Sequence, residues 1–301
     1  MSRQLELLPR EQLVRVTWPG QAPEPLAFLF DNGTTDSALV AGDSKTILAQ
    51  IPDSVFQACV TSPPYWSLRD YAIDGQVGLE SSLAAYLDAL VVVFDQVRRV
   101  LRDDGTLWLN IGDSYTSGGR TWRAPDKKNP VRAMDIRPPT PEGLKPKDLI
   151  GVPWRLAFAL QEAGWYLRAD IVWNKPNCQP ESVKDRPTRS HEYLFLFSKS
   201  ERYYYDSKAM RGPKGRNIRT VWDIHTQAFS EAHFATFPPA LVEPCISLGT
   251  RPNDVVLDPF IGSGTTGVVA LKLGRRFVGI ELNPEYVRLA ERRLNGRVHR
   301  V

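Results

Sequence analysis

Cysteine is scarce. The chain of 301 residues has only Cys59, Cys178 and Cys245, too few and too scattered for a disulfide framework or a structural zinc site. No apolar run approaches the roughly 18 residues that span a bilayer, so no membrane association is expected. The opening Met-Ser-Arg-Gln-Leu-Glu lacks the apolar stretch of a secretory signal. A reducing cytoplasm fits these absences. Two nucleotide fingerprints are also missing: there is no Gly-Lys-Ser/Thr of a P-loop and no Gly-x-Gly-x-x-Gly. What remains is ordinary for a soluble globular chain, with 42% hydrophobic and 24% charged residues and enough length for a full core.

The charge is uneven. Net charge is +4, yet residues 118–147 carry eight Lys/Arg against three acids and residues 174–219 carry eleven against five. Those segments hold +5 and +6, which leaves −7 for the rest of the chain. An acidic body with two basic segments is the layout expected when particular loops touch a polyanion.

Apolar periodicity alternates between strand and helix. Val255-Val256-Leu257 reads as a buried strand, and Val268, Val269, Leu271 and Leu273 as a helical face that stops at Gly274. Phe277 to Ile280 is a second strand, and Pro284 opens a helix to about Leu294. In the other half, Ala38-Leu39-Val40, Phe56 to Val60, Thr106 to Ile111 and Tyr166 to Trp173 read as strands. Leu83 to Leu101 and Leu149 to Ala163 read as helices, and Glu192 to Ser198 with Tyr203 to Tyr205 as a hairpin. This is α/β: a doubly wound, mostly parallel sheet with right-handed crossovers. Residues 117–147 and 174–189 resist regular assignment and read as long functional loops, the first of them mobile.

Two strings carry the chemistry. Thr61-Ser62-Pro63-Pro64-Tyr65-Trp66 closes the apolar run that ends at Val60. Asp258-Pro259-Phe260-Ile261-Gly262-Ser263-Gly264-Thr265-Thr266 follows Val255-Val256-Leu257 and leads into a helix. The first resembles the catalytic loop of the DNA amino-methyltransferases, and the second resembles their S-adenosylmethionine loop. With the catalytic loop first, the order resembles the β group of that family. Lys145 to Asp206 and His233 to Leu294 are similar as well, so only residues 1–37 fall outside.

The resemblance implies a seven-stranded, Rossmann-like methyltransferase sheet in circularly permuted order, with inserted DNA-recognition loops. It divides residues 38–301, one catalytic domain, into a catalytic half (38–173), a recognition region (about 174–230) and a cofactor half (231–301). It implies S-adenosylmethionine as cofactor, no metal, and double-stranded DNA as partner. It leaves room for a homodimer and for a cognate restriction endonuclease, in a bacterial, archaeal or phage-encoded cytoplasmic enzyme.

The expected cofactor residues are Asp43, Thr61, Phe237, Pro238, Asp258, Phe260, Gly262, Ser263, Gly264, Thr265, Thr266, Glu281 and Asn283. Gly262 and Gly264 let the backbone turn and approach a ligand without Cβ interference. The helix that follows offers free N–H groups to an anionic group. Glu281, at a strand end, suits the ribose hydroxyls. Phe237-Pro238 resembles the segment that packs against the methionine end.

The expected catalytic residues are Ser62, Pro63, Pro64 and Tyr65. An exocyclic amine is a poor nucleophile because its lone pair is delocalised into the ring. Ser62 Oγ and the Pro63 carbonyl can accept its two hydrogens, and the prolines pre-set that carbonyl by fixing φ. Tyr65 offers a face on which an extruded base stacks. In the family, Ser-Pro-Pro-Tyr is associated with N4 of cytosine and Asp-Pro-Pro-Tyr with N6 of adenine. A serine hydroxyl both accepts and donates, whereas an ionised aspartate only accepts. Trp173, Lys175, Lys184, Arg186, Arg189 and Arg219 are the candidate DNA contacts, and His191-Glu192 resembles a family landmark. Cys245 fits a buried helical face, which argues against a thiolate nucleophile for cytosine-C5 chemistry. The alternatives are an adenine-N6 methyltransferase and a non-catalytic DNA-binding protein of methyltransferase ancestry. Intact Ser62 to Tyr65 and Gly262 to Gly264 argue against the latter.

Overall fold

Strands that are apolar without alternation demand cover on both faces. Phe56 to Thr61 and Val255 to Asp258 meet that demand, every residue of both being buried. The computed structural model describes residues 14–18, 37–71, 73–116, 122, 138–227 and 237–296. Most of the expected mobile loop and of the N-terminal extension therefore lies outside the described residues, as do residues 228–236.

The strands are β1 (Arg15–Thr17), β2 (Ala38–Ala41), β3 (Phe56–Thr61), β4 (Leu101–Ile111), β5 (Tyr166–Asn174), β6 (His191–Ser198), β7 (Val221–Asp223), β8 (Val255–Asp258) and β9 (Arg276–Glu281). The helices are α1 (Ser44–Leu48), α2 (Leu83–Val100), α3 (Val152–Glu162), α4 (Pro239–Gly249), α5 (Thr265–Lys272) and α6 (Pro284–Leu294). The strands form one sheet in the order β1-β2-β9-β8-β3-β4-β6-β5-β7. Neighbours are parallel except where β6 runs antiparallel to β4 and β5. Helices α1 to α3 pack on one face and α4 to α6 on the other, each over its own apolar core.

Seven strands, from β2 across to β5, make the expected doubly wound sheet. Among the described residues the count is corrected to nine by one strand at each edge: β1 extends the sheet beside β2, and β7 beside β5. Both are only three residues long, too short for a periodicity to stand out. The expected strand at Tyr203–Tyr205 is absent. Tyr204 N–H donates instead to Asp104 O at 2.9 Å, and Asp206 N–H to Leu248 O at 2.8 Å, so this segment is tied to other parts of the chain. No helix among the described residues is long and apolar enough to cross a membrane.

Strand order reverses between β8 and β3. From β8 the chain passes through α5 to β9 on one side, and from β3 through α2 to β4 on the other. Open sheets of this kind bind ligands outside the strand carboxyl ends at that reversal. Permuted sequence order is harmless here, because β3 and β8 lie side by side although almost two hundred residues separate them, with Cys59 opposite Leu257.

Helix α2 shows how a sequence stripe becomes packing. Tyr86, Leu90, Val93, Phe94, Val97 and Val100 recur at helical spacing and are buried, whereas Val92 is 41% exposed. Phe94→Ala should cost about 3–5 kcal/mol in urea unfolding, and Val92→Ala no more than about 0.5 kcal/mol. Equal losses would contradict this assignment of faces.

Candidate active site

Strand β3 ends at Thr61 and its neighbour β8 ends at Asp258, so the two motif loops start side by side. Thr61 Oγ1 donates to Asp258 Oδ1 at 2.7 Å, and Thr266 Oγ1 donates to Oδ2 at 2.6 Å. Phe260 N–H adds a bond to Oδ1 at 3.1 Å. The carboxylate is buried, and burial pushes its pKa up to about 6 although all three donors pull it down. Ser44 Oγ, at the start of α1, donates to Pro259 O and fixes the loop from a third side.

Gly264 is the N-cap of α5, with φ at 86° in the left-handed region. A Cβ there would lie 3.2 Å from Ala290 Cβ. The left-handed turn and the approach of α6 both call for glycine here. Arg293 of α6 donates to Ser263 Oγ at 3.0 Å and Thr265 Oγ1 at 2.9 Å, bracing the loop from behind. Glu281, at the end of β9, accepts from Gly262 N–H at 2.9 Å through Oε2 and from Asn283 N–H at 2.8 Å through Oε1. The backbone N–H of Leu282 gives the carboxylate a third donor. Desolvation raises its pKa to about 7, and the nearby Asp258 charge adds to the rise.

A continuous cavity of about 650 Å³ opens over both loops. Asp43, Phe237, Phe260, Gly262, Ser263, Thr265, Glu281 and Asn283 line one part, and Ser62, Pro63, Pro64 and Tyr65 another. Thr61, Pro238, Asp258, Gly264 and Thr266 are not in its lining and stand behind it. Asp43 accepts from Thr46 N–H at 2.9 Å as the cap of α1, and Asn283 caps α6.

The Ser62 to Tyr65 loop is held by its flanks. Tyr86 Oη of α2 donates to Pro64 O at 2.9 Å. Tyr65 Oη donates to Glu192 Oε2 at 2.8 Å. Burial and the Glu192 charge push the Tyr65 hydroxyl well up, so it stays a donor. The Tyr65 ring lies against Gly112, where a Cβ would come within 2.6 Å of Cε2. Asn110 Nδ2 donates to Glu192 Oε2 at 3.3 Å and to Tyr193 O at 3.0 Å. Sequence reasoning assigns no role to Asn110, Tyr86, Glu192 or Arg293. Glu192 stands out there only within the His191-Glu192 landmark, and Asn110 as the polar break in Leu107-Trp108-Leu109-Asn110-Ile111.

The candidate DNA residues separate into groups. Trp173 is buried at the cavity wall and donates Nε1–H to Ile224 O at 2.8 Å. Lys175 also lines the cavity, pairs with Glu192, and sits 4.1 Å from the centre of the Trp173 ring. Arg189 lines the same wall. Arg186 pairs with Glu181 at 2.7 Å and covers the Tyr115 ring at 3.8 Å. Lys184 and Arg219 are exposed. Cys245 is buried in α4, its thiol donating to Leu241 O at 3.2 Å, and it is absent from the cavity lining.

Glu281 and Asp258 make stability depend on pH. Both are acids with raised native pKa values, from 4.5 to about 7 and from 3.8 to about 6. The native state then binds more protons than the unfolded chain in that window, so stability falls as pH rises through it. Their unfavourable contribution is absent below the unfolded pKa values and complete above the native ones. Thermal melts between about pH 5 and about pH 8 should show this decline, and Glu281→Gln should make it shallower. An unchanged slope in the variant would remove Glu281 from this role.

Comparison with known proteins agrees with this geometry. The family model described as DNA methylase, N6_N4_Mtase, matches residues 56–292. The chain is 63% identical to the type II methyltransferase M.Cfr9I of Citrobacter freundii over 277 residues, which is 91% of this chain and 90% of that protein. It is 60% identical to the type II methyltransferase M.SmaI of Serratia marcescens, covering 85% of this chain and 90% of that one. Among solved structures, the PvuII DNA methyltransferase, named as cytosine-N4-specific, shares the fold with a TM-score of 0.64 at 23% identity, over 84% of each chain. A putative DNA modification methylase of Thermus thermophilus, solved with S-adenosylmethionine, gives a TM-score of 0.60 at 27% identity, over 86% of this chain and 95% of that one. The chain belongs to the N6_N4_Mtase family of DNA methylases.

Proposed function

We propose that this DNA methyltransferase transfers a methyl group to N4 of a cytosine extruded from duplex DNA. The observation that carries this reading is one cavity walled by the glycine loop and Glu281 at one part and by Ser62 to Tyr65 at another. S-adenosylmethionine is the cofactor, and when bound it supplies an electrophilic methyl on a sulfonium. The residues present fit it. The Glu281 carboxylate at the cavity wall suits the ribose diol, and the loop at the N-terminus of α5 suits a carboxylate. Phe237 and Phe260 add apolar wall.

Ser62 Oγ and the Pro63 carbonyl take the two hydrogens of the target amine and localise its lone pair. Tyr65 gives the base a stacking face. The proton of the methylated amine is lost readily, because the ammonium is acidic, so no strong base is required. Cytosine is favoured because Ser62 to Tyr65 resembles the Ser-Pro-Pro-Tyr motif that the family associates with N4 of cytosine; either base offers an acceptor nitrogen beside its amine, so the association carries the choice. The basic segments support contact with the phosphates through Lys184, Arg186, Arg189 and Arg219. The similarity to type II methyltransferases supports a restriction–modification setting with a cognate endonuclease.

Expression in a host lacking other methyltransferases, followed by nucleoside mass analysis, should return N4-methylcytosine. N6-methyladenine would overturn the base assignment. Ser62→Ala should reduce turnover far more than DNA affinity, because its bond orients the amine in the chemical step. Tyr65→Ala should weaken both, since stacking contributes on the order of 1–3 kcal/mol.

A further inference from the structure

Glu192 receives three donors from three strands or loops. Tyr65 Oη reaches Oε2 at 2.8 Å, Asn110 Nδ2 reaches the same oxygen at 3.3 Å, and Lys175 Nζ pairs with Oε1. The Lys175 and Glu192 side chains are only 17% and 19% exposed. In such a site an ammonium and a carboxylate hold each other firmly, because water competes weakly.

Placement makes this more than a local brace. Lys175 and Glu192 stand at the two feet of residues 175–190, the basic loop joining β5 to β6. Lys175 N–H donates to Ser190 O at 2.7 Å, and Trp173 pairs with Glu192 in the β5–β6 ladder. Both feet of the loop therefore meet at the hydroxyl of Tyr65. Glu192 is unsuited to act as a free base for the amine, since its oxygens are already committed to an ammonium, an amide and a phenol.

We propose that Glu192, anchored by Lys175 and Asn110, is a positioning residue that fixes the Tyr65 ring for stacking and makes methyl transfer depend on the 175–190 loop. This inference rests on the reading of Tyr65 as the platform for the target base. Its signature is a loss in turnover that disappears once the Tyr65 hydroxyl is gone.

Steady-state methylation of DNA from a methylation-free host, with radiolabelled S-adenosylmethionine, tests it. Glu192→Ala should lower kcat by about 10- to 100-fold, the scale of a small misplacement of reacting groups. KM for DNA and for the cofactor should change by less than about threefold. Tyr65→Phe, which also removes the bond between the Tyr65 and Ser62 hydroxyls, should lower kcat at least as much, and adding Glu192→Ala to it should cost little more. Glu192→Gln keeps an oxygen that accepts from Tyr65, and should restore most of the kcat lost in Glu192→Ala. If Glu192→Ala does not fold, Glu192→Gln replaces it: adding Tyr65→Phe should then lower kcat as it does in the wild type. Losses that multiply, or a loss confined to KM for DNA, would overturn the inference. An active wild type with an unaffected Glu192→Ala would overturn this inference alone. A wild type that methylates no DNA would overturn the underlying reading as well.

Discussion

One buried carboxylate organises the active end of the sheet. Asp258 ends β8 and holds Thr61 at the end of β3, Thr266 in the first turn of α5, and the backbone of Phe260. Taking a carboxylate out of water is unfavourable, and burial pushes its pKa up to about 6 although its donors pull it down. In return, the loop that turns at Gly262 and Gly264 starts in register with the loop that begins at Ser62. Two loops far apart in sequence become one surface. That is also why permuted order is tolerated: neighbouring strands matter, and the direction in which the chain visits them does not.

The same surface concentrates unfavourable charge. Glu281 and Asp258 are both raised by burial, and the Asp258 charge makes Glu281 harder still to ionise. Glu281 is held by the backbone N–H groups of Gly262, Leu282 and Asn283. A ligand that supplies two hydroxyl donors would stabilise its ionised form, so binding and deprotonation would reinforce each other. The loop from Ser62 to Tyr65 uses another device. There the Glu192 charge is met by Lys175, and Tyr65 remains a neutral donor.

The sequence made the inner strands and both motif loops legible because each is a local pattern. An unbroken apolar run such as Val255 to Leu257, followed by glycines, fixes a strand, a turn and a helix start together. The edge strands were not legible. Val14 to Trp18 alternates, yet three residues of ladder are too few to stand out. Long-range side-chain partners were hidden for another reason. Tyr65 and Glu192 are 127 positions apart, and nothing local to either tells which partner the fold brings. Lys175 read as a basic loop residue because its charge was visible and its counter-ion was not. The case of Gly264 is similar: its turn was readable, whereas its contact with Ala290 depends on how α6 packs.

The most direct test of the Asp258 tie is a substitution outside the cavity lining and in the other loop. Thr61→Val keeps shape, removes the donor to Asp258, and leaves every cavity-lining residue in place. Its S-adenosylmethionine affinity, measured by calorimetric titration on protein whose fold is verified by circular dichroism, should fall about tenfold. That corresponds to roughly 1.4 kcal/mol, within the range for leaving a buried acceptor without one partner. Unchanged affinity in a folded Thr61→Val protein would mean that the two loops are set independently and that the tie does not organise the site.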